Sequence, residues 1–324
     1  MALSWILFTL MAAFMQAWRN AFQKQLSHTV DAYGVTLARF IFAFPLAGLY
    51  LYYLYNQYSV QHIVSFNSKF YFYVLIAAFS QILATILMVQ LFKQKNYAIG
   101  VGLAKSEAIL AAIIGVALLG EHLSLLAWTG VFLGAFAIFL LSKGGLQNSK
   151  FSWNTLIIGT ASGLCFAITS LLVRQASLQL DMLPFLHRAA WVLVSITGIQ
   201  CSVLLLFLGI FKRATFIAMF QRIGLITKIS FCSFAASLGW FTAMSVQSVA
   251  LVTTLGQIEI LFSLLISVYF FKEKLVASDH WGLFWVVIAA TLVIWLSARF
   301  SGFDVFVKRY IEAKFIKLNW RKFG

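Results

Sequence analysis

Apolar runs of about 20 residues, separated by short polar connections, decide what this chain can become. A run of that length crosses a bilayer core as a helix. In lipid every backbone N–H and C=O must find its partner inside the segment, so a helix is the form such a run takes. Ten runs can be drawn, at approximately 2–25, 31–55, 70–92, 97–119, 124–142, 153–175, 182–210, 226–247, 249–271 and 278–298. Charged residues make up 10% of the 324, far too few to cover a soluble surface. The net charge of +15 does not point to nucleic acid, because the cations lie mainly between the runs and in the last 27 residues, where they suit lipid headgroups. The N-terminal MALSWILFTLMAAFMQAW lacks a basic leader and a small-residue cleavage site, so it reads as the first span.

The segment 143–152, KGGLQNSKFS, has the composition of a linker and divides the runs five and five. The two halves repeat. A shift of 152 lays 103–130 over 255–282, with Glu107 on Glu259, Glu121 on Glu273 and Gly130 on Gly282. A shift of 149–150 lays Lys24 on Arg174, Asp31 on Asp181 and Arg39 on Arg188. Apolar helices align their leucines by chance, but not a series of rare charges in order. Five is an odd number, so the second unit enters the membrane upside down, as in many secondary transporters that hold substrate near the midplane. The expected fold is therefore all-α and integral to the membrane, with ten transmembrane helices in two inverted five-helix repeats over 1–145 and 150–298. A basic tail, 299–324, reads as an amphipathic helix on the membrane surface.

Charges inside apolar runs cost at least ~2.5–3.5 kcal/mol each on insertion scales and persist where they are paired or face water. Glu107 and Glu259 are the acids deepest in the runs, and Arg39 and Arg188 lie about two turns into the second and seventh. Two readings stand side by side. In one, both arginines bind an anionic group of a substrate, while the glutamates counter them, bind an ammonium or carry a proton. In the other, Arg–Glu pairs merely fix helix packing. Lys105 lies about 200° around a regular helix from Glu107, so both reach one cavity only through a local distortion. Its repeat counterpart is Gln257. Met88 and Trp240 are also matched, as stacking partners or as core and lipid-facing residues. Arg19 and Asn20 close the first span, where Arg19 snorkels or lines a cavity mouth. Glu121 and Glu273 sit at span ends as helix caps. His187 neighbours Arg188, and Gly130 with Gly134 permits close helix packing.

There is no zinc pattern, no P-loop and no glycine-rich nucleotide fingerprint, so neither a catalytic group nor a cofactor nor a metal is expected. Cys165, Cys201 and Cys232 show no paired spacing. The expected partners are a small-molecule substrate and membrane lipids, with no nucleic acid, in a monomer or homodimer. The competing readings are an interaction protein that docks through its tail and, least favoured by nine scattered acids, an intramembrane enzyme.

A basic residue ends the first helix of each half (Lys24, Arg174), and an arginine sits early in the second (Arg39, Arg188). An acid follows the fourth helix, with glycine nine residues on, in GEHLSLLAWTG (120–130) and KEKLVASDHWG (272–282). In these features the chain resembles EamA-type members of the drug/metabolite transporter superfamily, over residues 3–142 and 153–297. The resemblance implies a helical bundle working by alternating access on amino acids, sugars, nucleosides or other metabolites, in the inner membrane of a bacterium. Many members have proline where Glu107 and Glu259 stand. The resemblance also implies cytoplasmic termini, whereas the cations of the short loops gather on the side this places outside.

Overall fold

The computed structural model describes residues 4–58, 64–94, 104–120, 125, 128–133, 135–136, 153–272, 288 and 291, and among them every regular element is a helix. In order these are α1 (Ser4–Ser27), α2 (Ala32–Phe40), α3 (Ala43–Gln57), α4 (Ser68–Gln94), α5 (Glu107–Leu119), α6 (Trp153–Leu178), α7 (Phe185–Phe211), α8 (Arg213–Phe220), α9 (Ile223–Val246), α10 (Val249–Leu255), a 3-10 turn (Gly256–Ile258) and α11 (Glu259–Tyr269). Among the described residues, six stretches are long and apolar enough to cross a membrane: Ala32–Gln57, Ser68–Lys93, Trp153–Leu178, Phe185–Phe211, Ile223–Val246 and Val249–Tyr269. α1 is 24 residues long but carries Gln16, Arg19, Asn20, Gln23 and Lys24 in its second half. The chain is all-α and multi-pass. Of the expected spans, 124–142 is described only at 125, 128–133 and 135–136, and 278–298 only at 288 and 291. The tail, Glu121, Glu273 and Gly134 lie outside the described residues altogether.

Three apolar runs expected as single helices are broken. Ala32–Gln57 turns at Ile41–Phe42, just ahead of Pro45, whose ring has no N–H and crowds the carbonyl four residues back. Val249–Tyr269 is interrupted by the 3-10 turn at Gly256–Ile258. The fourth run turns at Lys105–Ser106 and restarts as α5 at Glu107. The last two breaks fall at the same place in the 152-residue alignment, and each restarts on its glutamate. α5 then stops at Gly120 in the left-handed conformation (φ 63°). The aligned Lys272 takes the same conformation (φ 57°) without glycine's freedom. The basic stretch 211–228, expected as a connection, contains α8.

α1 packs most extensively against α9, and α4 against α6. Small residues make both contacts possible, as is usual where helices meet in lipid. Ala12, Ala13, Ala17 and Ala21 line the buried face of α1. A Cβ on Gly239 of α9 would come within 2.6 Å of the Phe8 carbonyl and 2.9 Å of the Ala12 Cβ. Between α4 and α6, Ser162 donates to the Ala84 carbonyl (2.9 Å) and Ser80 to that of Cys165 (2.8 Å). Large apolar side chains face outward, among them Leu7, Tyr52, Phe72, Leu206 and Phe231. Such a belt suits lipid and would be a liability in water.

Candidate functional site

The breaks bring polar groups into the middle of the apolar bundle. Glu259 heads α11 and Glu107 heads α5, each in a first turn, the end of a helix whose dipole favours a carboxylate. Glu259 is fully buried. It accepts from Gln16 Nε2 (2.6 Å) and Asn20 Nδ2 (2.8 Å) of α1 and pairs with the Lys105 ammonium. The two amides are oriented by donor-only neighbours. Trp240 Nε1 donates to Gln16 Oε1 at 2.8 Å. Arg19 donates to Asn20 Oδ1 from Nη2 at 2.9 Å and from Nε at 3.2 Å. Neither indole nor guanidinium can accept, so both amide nitrogens turn to Glu259.

Glu107 is placed differently. Its hydrogen-bond partner among the described residues is Ser170 of α6, with Oγ–Oε1 at 2.7 Å. Gly163, about two turns earlier on α6, lets this helix lie against the break, since a Cβ there would strike the Ser106 hydroxyl. Glu107 lines a cavity of about 40 Å³, together with Gln16, Arg39, Gln81, Lys105 and Trp240. That volume holds about three waters. Arg39, buried, donates from Nη1 to Thr85 Oγ1 (2.7 Å), while its Nε has no partner among the described residues. Trp240 fits over Gly256, where any Cβ would strike the indole. The aligned pair in the other half is Met88 with Ala104, a smaller side chain facing a larger residue.

Arg39, Lys105, Glu107 and Trp240 thus come together at the cavity, with Glu259 sealed behind Gln16 and Lys105. Lys105 and Glu107 meet there because the helix is broken between them, which supplies the distortion a regular helix would need. Arg188, Met88 and Gln257 do not line it. Met88 packs among Ala17, Ala21 and Phe92, and Gln257 is buried with no hydrogen-bond partner for its amide among the described residues. Arg188 falls short for a local reason. α7 begins only after Pro184, so Arg188 is one turn into its helix where Arg39 is two turns into α2. His187 beside it packs edge-on against Tyr55. Arg19 does not snorkel and is buried in the cluster.

Gln16, Gln81, Thr85 and Ser170 were not foreseen. Ser170 carried a signal, since a shift of 150 lays it on Asn20. Each contacts the glutamate of the other half, Asn20 holding Glu259 and Ser170 holding Glu107. Arg174 also finds a physical reason. It donates to the carbonyls of Met244 (2.8 Å) and Gln247 at the end of α9, where a helix terminus attracts a cation.

Solved structures match this fold in 28 chains. One of them, a crystal structure of a protein, aligns over 92% of this chain and 98% of its own with a TM-score of 0.63 and 14% identity, a likeness of fold. No curated protein matches the sequence. Residues 3–143 match the model of the EamA-like transporter family. On that match the N-terminal part of this multi-pass membrane protein, residues 3–143, is similar to the EamA-like transporter family.

Proposed function

We propose that the chain is a secondary transporter that moves a small polar metabolite, amino-acid-like or anionic, by alternating access between two inverted five-helix repeats. The repeats run over 1–145 and 150–298, followed by the surface tail 299–324, in the inner membrane of a bacterium. The observation that carries the reading is a charged cavity at the helix breaks in the middle of apolar spans. Lipid-embedded charge at such a depth has to be repaid by function or by complete pairing, and here the Arg39 Nε has no acceptor among the described residues. Three cations (Arg19, Arg39, Lys105) meet two carboxylates (Glu107, Glu259), which favours a substrate with an anionic group. Phe166, Phe241 and Met244 add an apolar wall.

The helix pairing supports the two-repeat reading. Exchanging the halves turns the α1–α9 contact into the α6–α4 contact, and the Asn20–Glu259 bond into the Ser170–Glu107 bond. The cavity supports alternating access, because at about 40 Å³ it is far below the several hundred Å³ typical of ligand pockets. Cargo enters only when the surrounding helices part.

The test compares metabolites in cells with and without the protein, then measures proteoliposome flux of the leading candidate. Transport by the wild type and its loss in Arg39→Gln, at equal membrane abundance, is expected. Undiminished flux in that variant would remove Arg39 from the site. Deleting 302–324 separates the transporter from a docking protein, since flux should largely survive it.

A further inference from the structure

We propose that the two repeat-related glutamates have divided their work: Glu107 is the group that takes up and releases a proton, and Glu259 is a strut held by fixed donors. The argument rests on which partners can reverse a hydrogen bond. Glu259 receives bonds from two amide nitrogens and an ammonium. Trp240 and Arg19 fix those amides, so neither can offer its oxygen instead. A proton on Glu259 would therefore leave an O–H facing donors and an unpaired buried ammonium, a costly pair of defects. Ser170 imposes no such bar. A hydroxyl donates to a carboxylate and accepts from a carboxylic acid by turning about one bond. The 2.7 Å Ser170–Glu107 contact serves both protonation states without moving either helix.

Access differs in the same sense. Glu107 lines the cavity and Glu259 is sealed behind it, so a proton arriving by water reaches the first and not the second. The charged groups around Glu107 are Lys105 at the break, Arg19 of α1, Arg39 of α2 and Glu259 at the head of α11. From α6, α9 and α10 the cavity receives uncharged polar groups: Thr169, Ser170, Ser237, Trp240 and Thr253. Arg174, one turn beyond Ser170, is turned to the end of α9. The uptake step is simple: the proton bonds to a Glu107 carboxylate oxygen, the Ser170 O–H turns away, and release reverses both. Protonation removes one negative charge from a site with three cations, so a proton and an anionic substrate favour each other's binding. That consequence for transport rests on the transporter reading; the proton site itself does not.

The proton is its own probe. Infrared difference spectra of the full chain in lipid vesicles, recorded while pH is stepped, report the C=O stretch of a buried carboxylic acid. A titrating band is expected in the wild type, absent from Glu107→Gln and retained in Glu259→Gln. Ser170→Ala should shift the band without abolishing it, and Glu107→Asp should return an acid band at a new position. A band that survives Glu107→Gln, or one lost from folded Glu259→Gln, overturns the assignment. If Glu259→Gln does not fold, the Glu107→Gln and Glu107→Asp pair decides alone. A band assigned to Glu107 in a protein without flux would keep the proton site and overturn the transporter reading. Flux with a band indifferent to Glu107 would do the reverse.

Discussion

Two substitutions at repeat-equivalent positions should have very unequal costs. Glu259→Gln removes the carboxylate that pairs with buried Lys105, and one of its new amide hydrogens must point at a donor from Gln16 or Asn20. Breaking a buried pair from one side costs about 3–5 kcal/mol, mostly because the remaining charge is stranded. Glu107→Gln gives up a serine contact that an amide can still make, and although it also loses its charge toward Lys105, that ammonium keeps Glu259 as its partner. Interhelical hydrogen bonds in membranes average about 0.6 kcal/mol and reach about 1.7. Taking roughly 2–4 °C per kcal/mol, Glu259→Gln should lower the apparent melting temperature by roughly 6–20 °C and Glu107→Gln by no more than roughly 7 °C. Thermal unfolding of purified variants in one detergent at one scan rate measures both. The double variant Lys105→Gln/Glu259→Gln removes the stranded charge and should regain more than half of the loss. Equal melting shifts for the two single variants, or a double variant no better than Glu259→Gln, would refute the reasoning.

Other consequences can be checked by the same melting assay. Lys272→Gly should stabilise by about 1 kcal/mol, because a left-handed backbone costs an L side chain 1–2 kcal/mol. Gly120→Ala should destabilise by a similar amount. Gly163→Ala forces α6 away from the Lys105–Ser106 turn and should cost about 1–3 kcal/mol, with flux falling in parallel. Outside the membrane, Asp31 pairs with Lys212 at 2.6 Å. Burial alone would raise its carboxyl, but the Lys212 and Ala32 hydrogen bonds and the charges of Lys212 and Lys93 outweigh it and hold it below the ordinary 3.8. Its contribution is present above that ordinary value and is lost as pH falls through the lowered one. Asp31→Asn should therefore flatten the acid limb of the stability profile, by a small amount since both groups are about one-third exposed.

The spans could be read in the sequence because a twenty-residue apolar run leaves the backbone one solution. The breaks were less visible. Pro45 was a signal for the turn after Phe40 that the reading of 31–55 as one span passed over, whereas Lys105–Ser106 and Gly256–Ile258 interrupt apolar runs with no proline, and periodicity passes over them. The glutamates stood out because acids are rare in lipid, and the repeat showed that they correspond. What it could not show is that equivalent residues have unequal surroundings. Gln16 aligns with Phe166, so one glutamate gained a donor where the other met a ring. Arg188 was matched to Arg39 by position, while depth was set by where Pro184 lets its helix begin. Asn20 was read as a boundary residue because the first span was ended at 25, whereas its helix continues to Ser27.

The indole of Trp240 carries a consequence that reaches past its own contacts. By occupying the Gln16 oxygen it acts as a polarity lock on a neighbouring acid, though it has no ionisable group. With phenylalanine in its place the amide is free to rotate end over end and offer its oxygen to Glu259, which then has somewhere to direct an O–H. An apolar exchange at one aromatic position would in this way lift one of the bars to a proton on Glu259, with the Lys105 ammonium remaining as another, and so loosen the division between the two glutamates without altering a single charged residue.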